Sequence, residues 1–212
     1  MAISKNEIDY SLYLVTDRDI LRGRDFLVGI EEALAGGVTL LQLREKNLGS
    51  RDFYNAAVQV KHLCARYNIP LIINDRLDIM LAVDADGLHI GQDDIPLEIA
   101  RQLIGPQKVL GYSVSNVEKA LYGQTFADYL GAGVVFPTGS KADAGDPIGT
   151  DGLNAIASSA NIPVVAIGGI NLGNLARVKS AGADGISVIS AILGQANIKK
   201  ASQSLLKAWK EL

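Results

Sequence analysis

The thirty residues NIPVVAIGGINLGNLARVKSAGADGISVIS, Asn161 to Ser190, decide the fold class. They open on an apolar, β-branched run from Ile162 to Ile167 and pass two glycines. Helical spacing follows over Leu172 to Ala181, and a second apolar run covers Gly185 to Ser190. Short apolar runs entered through proline or Asp-Gly read as buried strands, and the stretch between them holds one crossover helix. Two strands apolar on both faces and joined by a helix belong to a covered parallel sheet.

The same alternation extends outward over the whole chain. Strands are predicted at Ser11 to Thr16, Val38 to Arg44, Pro70 to Asn74, Gly87 to Ile90, Val109 to Ser113 and Asp128 to Phe136, which makes eight with the pair above. Helices are predicted at Phe26 to Gly36, Arg51 to Tyr67, Leu77 to Val83, Leu97 to Ile104, Asn116 to Gln124, Leu153 to Ala160 and, after the last strand, Ile198 to Leu212. Eight strand–helix units in 212 residues leave about 26 residues each, the compact end of a (β/α)8 TIM barrel. That is too many strands for a five-stranded doubly wound sheet. A single domain over residues 1–212 is expected. Asn68-Ile69-Pro70 leads to Ala85-Asp86-Gly87, and Asn161-Ile162-Pro163 leads to Ala183-Asp184-Gly185. The echo is what duplication of a half-barrel would leave, or else two common strand-entry turns.

Composition narrows the function classes. Hydrophobic residues make up 48% of the chain and charged ones 20%, enough apolar matter for one sizeable core. A net charge of -3 argues against a general nucleic-acid or anionic-membrane partner. Cys64 is the only cysteine, so no intramolecular disulfide forms, and it reads as a buried small hydrophobe. The longest apolar stretch, Ile162 to Ile170, is far short of a membrane span, and the opening MAISKNEIDY lacks a signal-like apolar segment. A cytoplasmic protein is expected. Low aromatic content with 22 glycines suits a small-molecule enzyme with many tight turns.

In a barrel of this kind the functional groups gather where the strands end. Along Leu40 to Lys46, period-two alternation turns Leu41 and Leu43 toward the helices, Gln42 and Arg44 toward the barrel axis, and Lys46 to the rim. A guanidinium there needs an anionic ligand or an internal carboxylate. The third and fourth strands end in Asn74-Asp75-Arg76 and His89-Ile90-Gly91-Gln92-Asp93-Asp94. Neighbouring strands lie roughly 4.8 Å apart, so Asp75 and Asp94 can approach one cation. Two carboxylates completed by water and phosphate oxygens are a usual seat for Mg2+. Asp93 is expected as a helix N-cap, and His89, with no second histidine at ligand spacing, as a hydrogen-bonded core residue. Ser113 ends the fifth strand with no triad partner in view and no Gly-x-Ser-x-Gly elbow.

The sixth strand leads into Thr138-Gly139-Ser140-Lys141, an oxyanion cradle, and residues 139–149 are long enough to close as a lid or to stand as a solvated loop. Gly168-Gly169, with the turn at Ile189-Ser190, makes a backbone phosphate pocket. Two anion sites emerge, one cationic with carboxylates and one neutral. Two phosphorylated small-molecule substrates are the natural reading.

These motifs, in this order, resemble the thiamine-phosphate synthase family over nearly the whole chain. The resemblance rests on Tyr13-Leu14-Val15-Thr16-Asp17, Gln42-Leu43-Arg44-Glu45-Lys46, Asn74-Asp75-Arg76, His89 to Asp94, Gly111-Tyr112-Ser113, Thr138 to Lys141, Ala166 to Ile170 and Val188-Ile189-Ser190. It implies a transferase that joins a pyrimidine diphosphate to a thiazole phosphate. Gln42, Leu43, Arg44, Glu45, Lys46, Asn74, Ser113 and Lys141 would then bind the pyrimidine diphosphate, with Arg44, Lys46 and Lys141 neutralising the departing diphosphate. Asp75 and Asp94 would hold Mg2+. Thr138, Ser140, Gly169, Ile189 and Ser190 would hold the thiazole phosphate.

The family usually has a second threonine at Ser140 and a bulkier residue at Gly139, which implies altered affinity with activity kept. A thiazole tautomerase of the same superfamily, another phosphate-binding barrel isomerase and a catalytically silent binding barrel are the rivals. The first has no use for a diphosphate site, the second no need of Mg2+, and the retained ligand residues weigh against the third. Exterior helices leave room for a homo-oligomer, although no apolar stripe marks an interface.

Overall fold

The computed structural model describes residues 5–139 and 145–212. The eight apolar runs form eight parallel strands: β1 (Leu12–Val15), β2 (Leu40–Leu43), β3 (Leu71–Asn74), β4 (Gly87–Ile90), β5 (Val109–Val114), β6 (Tyr129–Gly133), β7 (Val164–Ile167) and β8 (Gly185–Val188). Each pairs with its neighbour in the chain, and β8 returns to β1 with Ile186 opposite Leu12, closing the barrel. The helices are α1 (Phe26–Ala35), α2 (Ser50–Tyr67), α3 (Leu77–Val83), α4 (Leu97–Ile104), α5 (Val117–Gly123), α6 (Gly149–Ser159), α7 (Leu175–Ser180), α8 (Ser190–Leu193) and α9 (Ile198–Lys210). The (β/α)8 TIM barrel expected from the alternation is the fold. No described helix is long and apolar enough to cross a membrane.

Alternation along each strand divides the apolar interior in two. Leu41, Leu43, Ile73, Leu88, Leu110 and Ile186 point outward and pack with the helices in one cluster, where Cys64 and Trp209 are also buried. Tyr13, Leu40, Ile72, Val109, Tyr129 and Val165 point inward and fill the barrel. Each large apolar side chain so buried contributes about 1.5–3 kcal/mol relative to exposure, before the entropy of ordering it.

The end of the barrel where the strands begin carries a repeated device. Asp86, just before β4, accepts the Leu71 amide at 2.8 Å, and its own amide donates to Leu71 O at 3.0 Å. Asp184, before β8, does the same to Val164, at 2.8 Å for both bonds. Asp128, before β6, takes the Leu110 amide at 2.8 Å, and Thr39, before β2, takes the Leu12 amide at 3.0 Å. Every even strand is thus preceded by a residue that clasps the odd strand before it. The side chain satisfies an entry amide that would otherwise lie buried and unpaired. The Ala-Asp-Gly echo is the most visible part of a pattern that repeats in quarters, finer than a half-barrel repeat. Glycine follows in two copies because a Cβ at Gly185 would lie 1.8 Å from Tyr10 O and one at Gly87 2.4 Å from Val109 O.

Several boundaries differ from expectation. The sixth strand stops at Gly133, not Phe136, because Val134 to Phe136 turn to pack against the loop after β7. Ser190, expected at the end of the eighth strand, opens α8, since Ile189 has left the extended region at φ -120°, ψ -80°. α7 starts at Leu175, not Leu172, because Asn171 and Asn174 first use their side-chain oxygens on the amides of Gly173 and Asn171.

Candidate active site

The strand ends surround one cleft of about 1170 Å3. Its first wall comes from β2, β3 and the turn after β4. Arg44, Lys46, Asn74, Asp75, Asp93 and Asp94 all line it. Lys46 Nζ sits 2.9 Å from Asp75 Oδ2, and Arg44 Nη1 lies 3.5 Å from Asp17 Oδ2. The internal carboxylate considered for Arg44 therefore exists, at a separation that leaves the guanidinium facing the cleft. Asp75 is held in the left-handed region at φ +61°, with its amide donating to His89 O at 2.9 Å. That conformation costs a non-glycine residue about 1–2 kcal/mol, so the surrounding structure enforces it.

Asp94 Oδ2 accepts the Gly91 amide at 2.7 Å, which fixes the turn after β4. Burial, and then the negative charge of Asp75, raise the Asp94 carboxyl above the ordinary carboxylate range. Two carboxylates that repel each other, one of them half-buried, fit a hard divalent cation. Among the described residues no group of three or more His, Cys, Asp or Glu could form a cage. The donor set therefore suits a metal that keeps water and phosphate oxygens in its shell, as Mg2+ does.

The five-residue run Gln42 to Lys46 is split by its own alternation. Leu43 lies in the outer core, and Glu45 turns to Arg18, Oε1 to Nε 2.7 Å, with the Arg18 guanidinium 3.7 Å over Phe26. Neither side chain lines the cleft and Gln42 lies in the recess of its floor, so of the five residues Arg44 and Lys46 are the ones that line the cleft itself. Asp93 does line it and is not a cap, since α4 begins at Leu97 and its N-cap position is held by Pro96.

Beneath the wall runs a buried polar chain. Gln42 Nε2 donates to Tyr13 OH at 2.7 Å, the Tyr13 and Tyr129 hydroxyls meet at 2.7 Å, and Tyr129 OH lies 2.8 Å from His89 Nδ1. His89 Nε2 then reaches Ser113 Oγ at 2.9 Å. His89 is the hydrogen-bonded core histidine expected, and Ser113 has the partner the sequence did not show. The pair is no hydrolase triad, because the second ring nitrogen meets a phenol where a carboxylate would be needed. Burial pushes both phenols well above their usual range, so they stay protonated. Gly111 makes room for the crossing, since a Cβ there would fall 2.2 Å from Tyr129 Cζ and 2.4 Å from His89 Nδ1. Tyr13 and Tyr129 were missed as site residues, and their signal was a polar-tipped aromatic at an inward strand position.

The opposite wall is built mostly of backbone. Gly168 and Gly169 follow β7 at φ +100° and +65°, and a Cβ on either would strike Val134 or Pro137 O at 2.4 and 2.7 Å. The loops after β6 and β7 are thereby pressed together. Thr138, Gly139, Gly169, Ile189 and Ser190 line this side. Ser140 and Lys141, with residues 142–144 of the expected lid, lie outside the described residues. Arg22 and Lys119 also line the cleft, from a loop and a helix that a reading of strand ends passes over.

The model of the family described as thiamine monophosphate synthase matches residues 12–192. The chain is 57% identical over 204 residues to a thiamine-phosphate synthase of Desulfitobacterium hafniense (strain Y51), covering 96% of this chain and 99% of that one. It is 54% identical over 199 residues to the thiamine-phosphate synthase of Clostridium tetani, covering 93% and 95%. A solved thiamine phosphate pyrophosphorylase from Pyrococcus furiosus superposes with a TM-score of 0.87 at 41% identity, covering 96% and 97%. A 3-hexulose-6-phosphate synthase, at 19% identity and a TM-score of 0.64, shares the fold alone. With the barrel, the divided cleft and these likenesses together, the chain belongs to the thiamine monophosphate synthase family.

Proposed function

We propose that this protein joins 4-amino-2-methyl-5-(diphosphooxymethyl)pyrimidine to thiazole phosphate, giving thiamine phosphate and diphosphate. The observation that carries the reading is the division of one cleft into two unlike walls. A diphosphate, with its high charge, calls for Arg44, Lys46 and the Asp75–Asp94 pair. A phosphate monoester is held by backbone amides and hydroxyls of the kind gathered at Thr138, Gly169 and Ser190. An isomerase acting on the thiazole phosphate alone has no use for the first wall.

In this reading Arg44, Lys46, Asn74 and Lys141 bind the diphosphate, and Asp75 and Asp94 hold Mg2+. When bound, the metal withdraws charge from the diphosphate oxygens. Lys46 exchanges the Asp75 carboxylate for a phosphate oxygen as substrate enters. The thiazole nitrogen donates its lone pair to the pyrimidine methylene, a C–N bond forms, the C–O bond breaks, and diphosphate leaves with that electron pair. No proton moves, so no general base is required, consistent with a floor of protonated phenols and a histidine held between hydroxyls. Arg44 and Lys46 act most strongly as negative charge grows on the departing oxygen, which is where stabilisation lowers a barrier. The aromatic floor of Tyr13, His89 and Tyr129 offers the pyrimidine a dry face and limits attack by water on an electron-poor carbon.

The test is formation of thiamine phosphate from both substrates, with Mg2+ and with a chelator. Product that needs both substrates and the metal is the expected result. A protein that binds thiazole phosphate yet makes no product with any divalent metal would instead be an isomerase or a silent binder.

A further inference from the structure

Among the described residues, Ser187 Oγ is the one buried side-chain polar atom without a hydrogen-bond partner. Ser187 is only 4% exposed. It lies in β8 between Ile186 and Val188, which both point to the helices, and it faces the barrel axis level with Tyr13 and Ile167. There it borders the main cleft and a recess of about 20 Å3 in the cleft floor, shared with Tyr13, Gln42, His89, Ser113 and Tyr129. A hydroxyl shut away from water without a partner destabilises the ligand-free fold, and alanine would pack there at no such cost. The other polar groups of the recess are tied into the chain that runs from Gln42 to Ser113. Gln42 uses its amide N–H on Tyr13, which leaves its carbonyl oxygen as an acceptor. On either side of Tyr13 the floor thus presents one hydroxyl able to donate and one carbonyl able to accept.

We propose that Ser187 is a specificity-determining residue that, with Gln42, reads the polar edge of the first substrate's ring. This rests on the function proposed above. The Ser187 hydroxyl donates to a ring nitrogen, and the Gln42 carbonyl accepts from the neighbouring amino group. Arg44, Lys46 and the carboxylate pair at the rim recognise a diphosphate whatever ring carries it. Only groups in the floor can distinguish an aminopyrimidine from a plain aromatic ring of the same size. A buried polar group that is satisfied only by the right ligand is a strong source of such discrimination.

The experiment compares the unmodified protein with Ser187→Ala, varying each substrate separately and using benzyl diphosphate as a competitive inhibitor that keeps the diphosphate and lacks the polar ring edge. For Ser187→Ala we expect KM for the pyrimidine diphosphate to rise about tenfold, with KM for thiazole phosphate and the benzyl diphosphate inhibition constant both unchanged. The ligand-free variant should melt at the same temperature or higher, the reverse of what loss of a structural bond would do. An unchanged KM for the pyrimidine diphosphate, or an equal weakening of benzyl diphosphate, overturns the assignment. If the unmodified protein makes no product, the function reading has failed. Calorimetric binding of the two diphosphates to both proteins then still decides Ser187, which is overturned unless the variant loses affinity for the pyrimidine compound alone.

Discussion

The barrel uses aspartate at both ends, and the two sets meet different fates. Asp86, Asp128 and Asp184, where strands begin, each take a strand-entry amide. Asp75 and Asp94, where strands finish, sit beside each other, and the former leans on Lys46. The direction of the strands accounts for the contrast. Parallel strands present N–H groups at their beginnings and carbonyls at their ends, so a carboxylate at the entry face finds donors in the backbone itself. At the exit face the strand ends offer mostly acceptors, and apart from the Gly91 turn amide that Asp94 takes, the pair needs a cation. The same side chain is structural at one end and available for chemistry at the other because of what the main chain offers it.

That contrast can be broken by exchanging single residues. The largest effect is expected from Asp75→Asn, which should lower thiamine phosphate formation at least about a hundredfold. Its melting temperature should hold or rise, since asparagine tolerates the left-handed backbone better than most residues. Lys46→Gln should come next, with kcat reduced about tenfold or more and thermal stability unchanged, because the ion pair it loses is half-exposed and worth little to folding.

At the entry face the balance reverses. Asp86→Ala leaves the Leu71 amide unpaired and should cost about 1–3 kcal/mol in urea unfolding, while kcat stays within twofold. The smallest effect should come from Glu45→Gln, whose side chain faces Arg18 behind the site. Both KM values should stay within about twofold, and a large rise in either would place Glu45 in the cleft after all.

Much of this was legible in the residues because strand periodicity carries it. The inward turn of Gln42 and Arg44, the outward turn of Leu41 and the meeting of Asp75 with Asp94 follow from period two and from adjacent strands. Four features were not legible, each for a physical reason. Tyr13 and Tyr129 are 116 positions apart and meet across the barrel, a contact set by its shear, which no local pattern encodes. Ser113 and His89 lie on neighbouring strands, yet the register sets His89 opposite Gly111, and the ring reaches Ser113 across the space that glycine leaves. Ser187 is one small polar residue in an apolar run, and sequence cannot tell a hydroxyl with a partner from one without. The sixth strand was overrun because Val134 to Phe136 are as apolar as a strand while packing beneath a loop.

The pairing of β1 with β8 also governs how the chain must be made. Leu12 to Val15 leave the ribosome early, and their final partner, around Ile186 to Val188, is almost the last of the sheet to be synthesised. Throughout translation the growing sheet carries two open edges, each able to pair with a neighbouring chain. Contacts this distant in sequence also slow folding. Nascent chains halted before β8 are therefore the species in which this protein is most exposed to aggregation, and a chaperone that shields the β1 edge would act where the need is greatest.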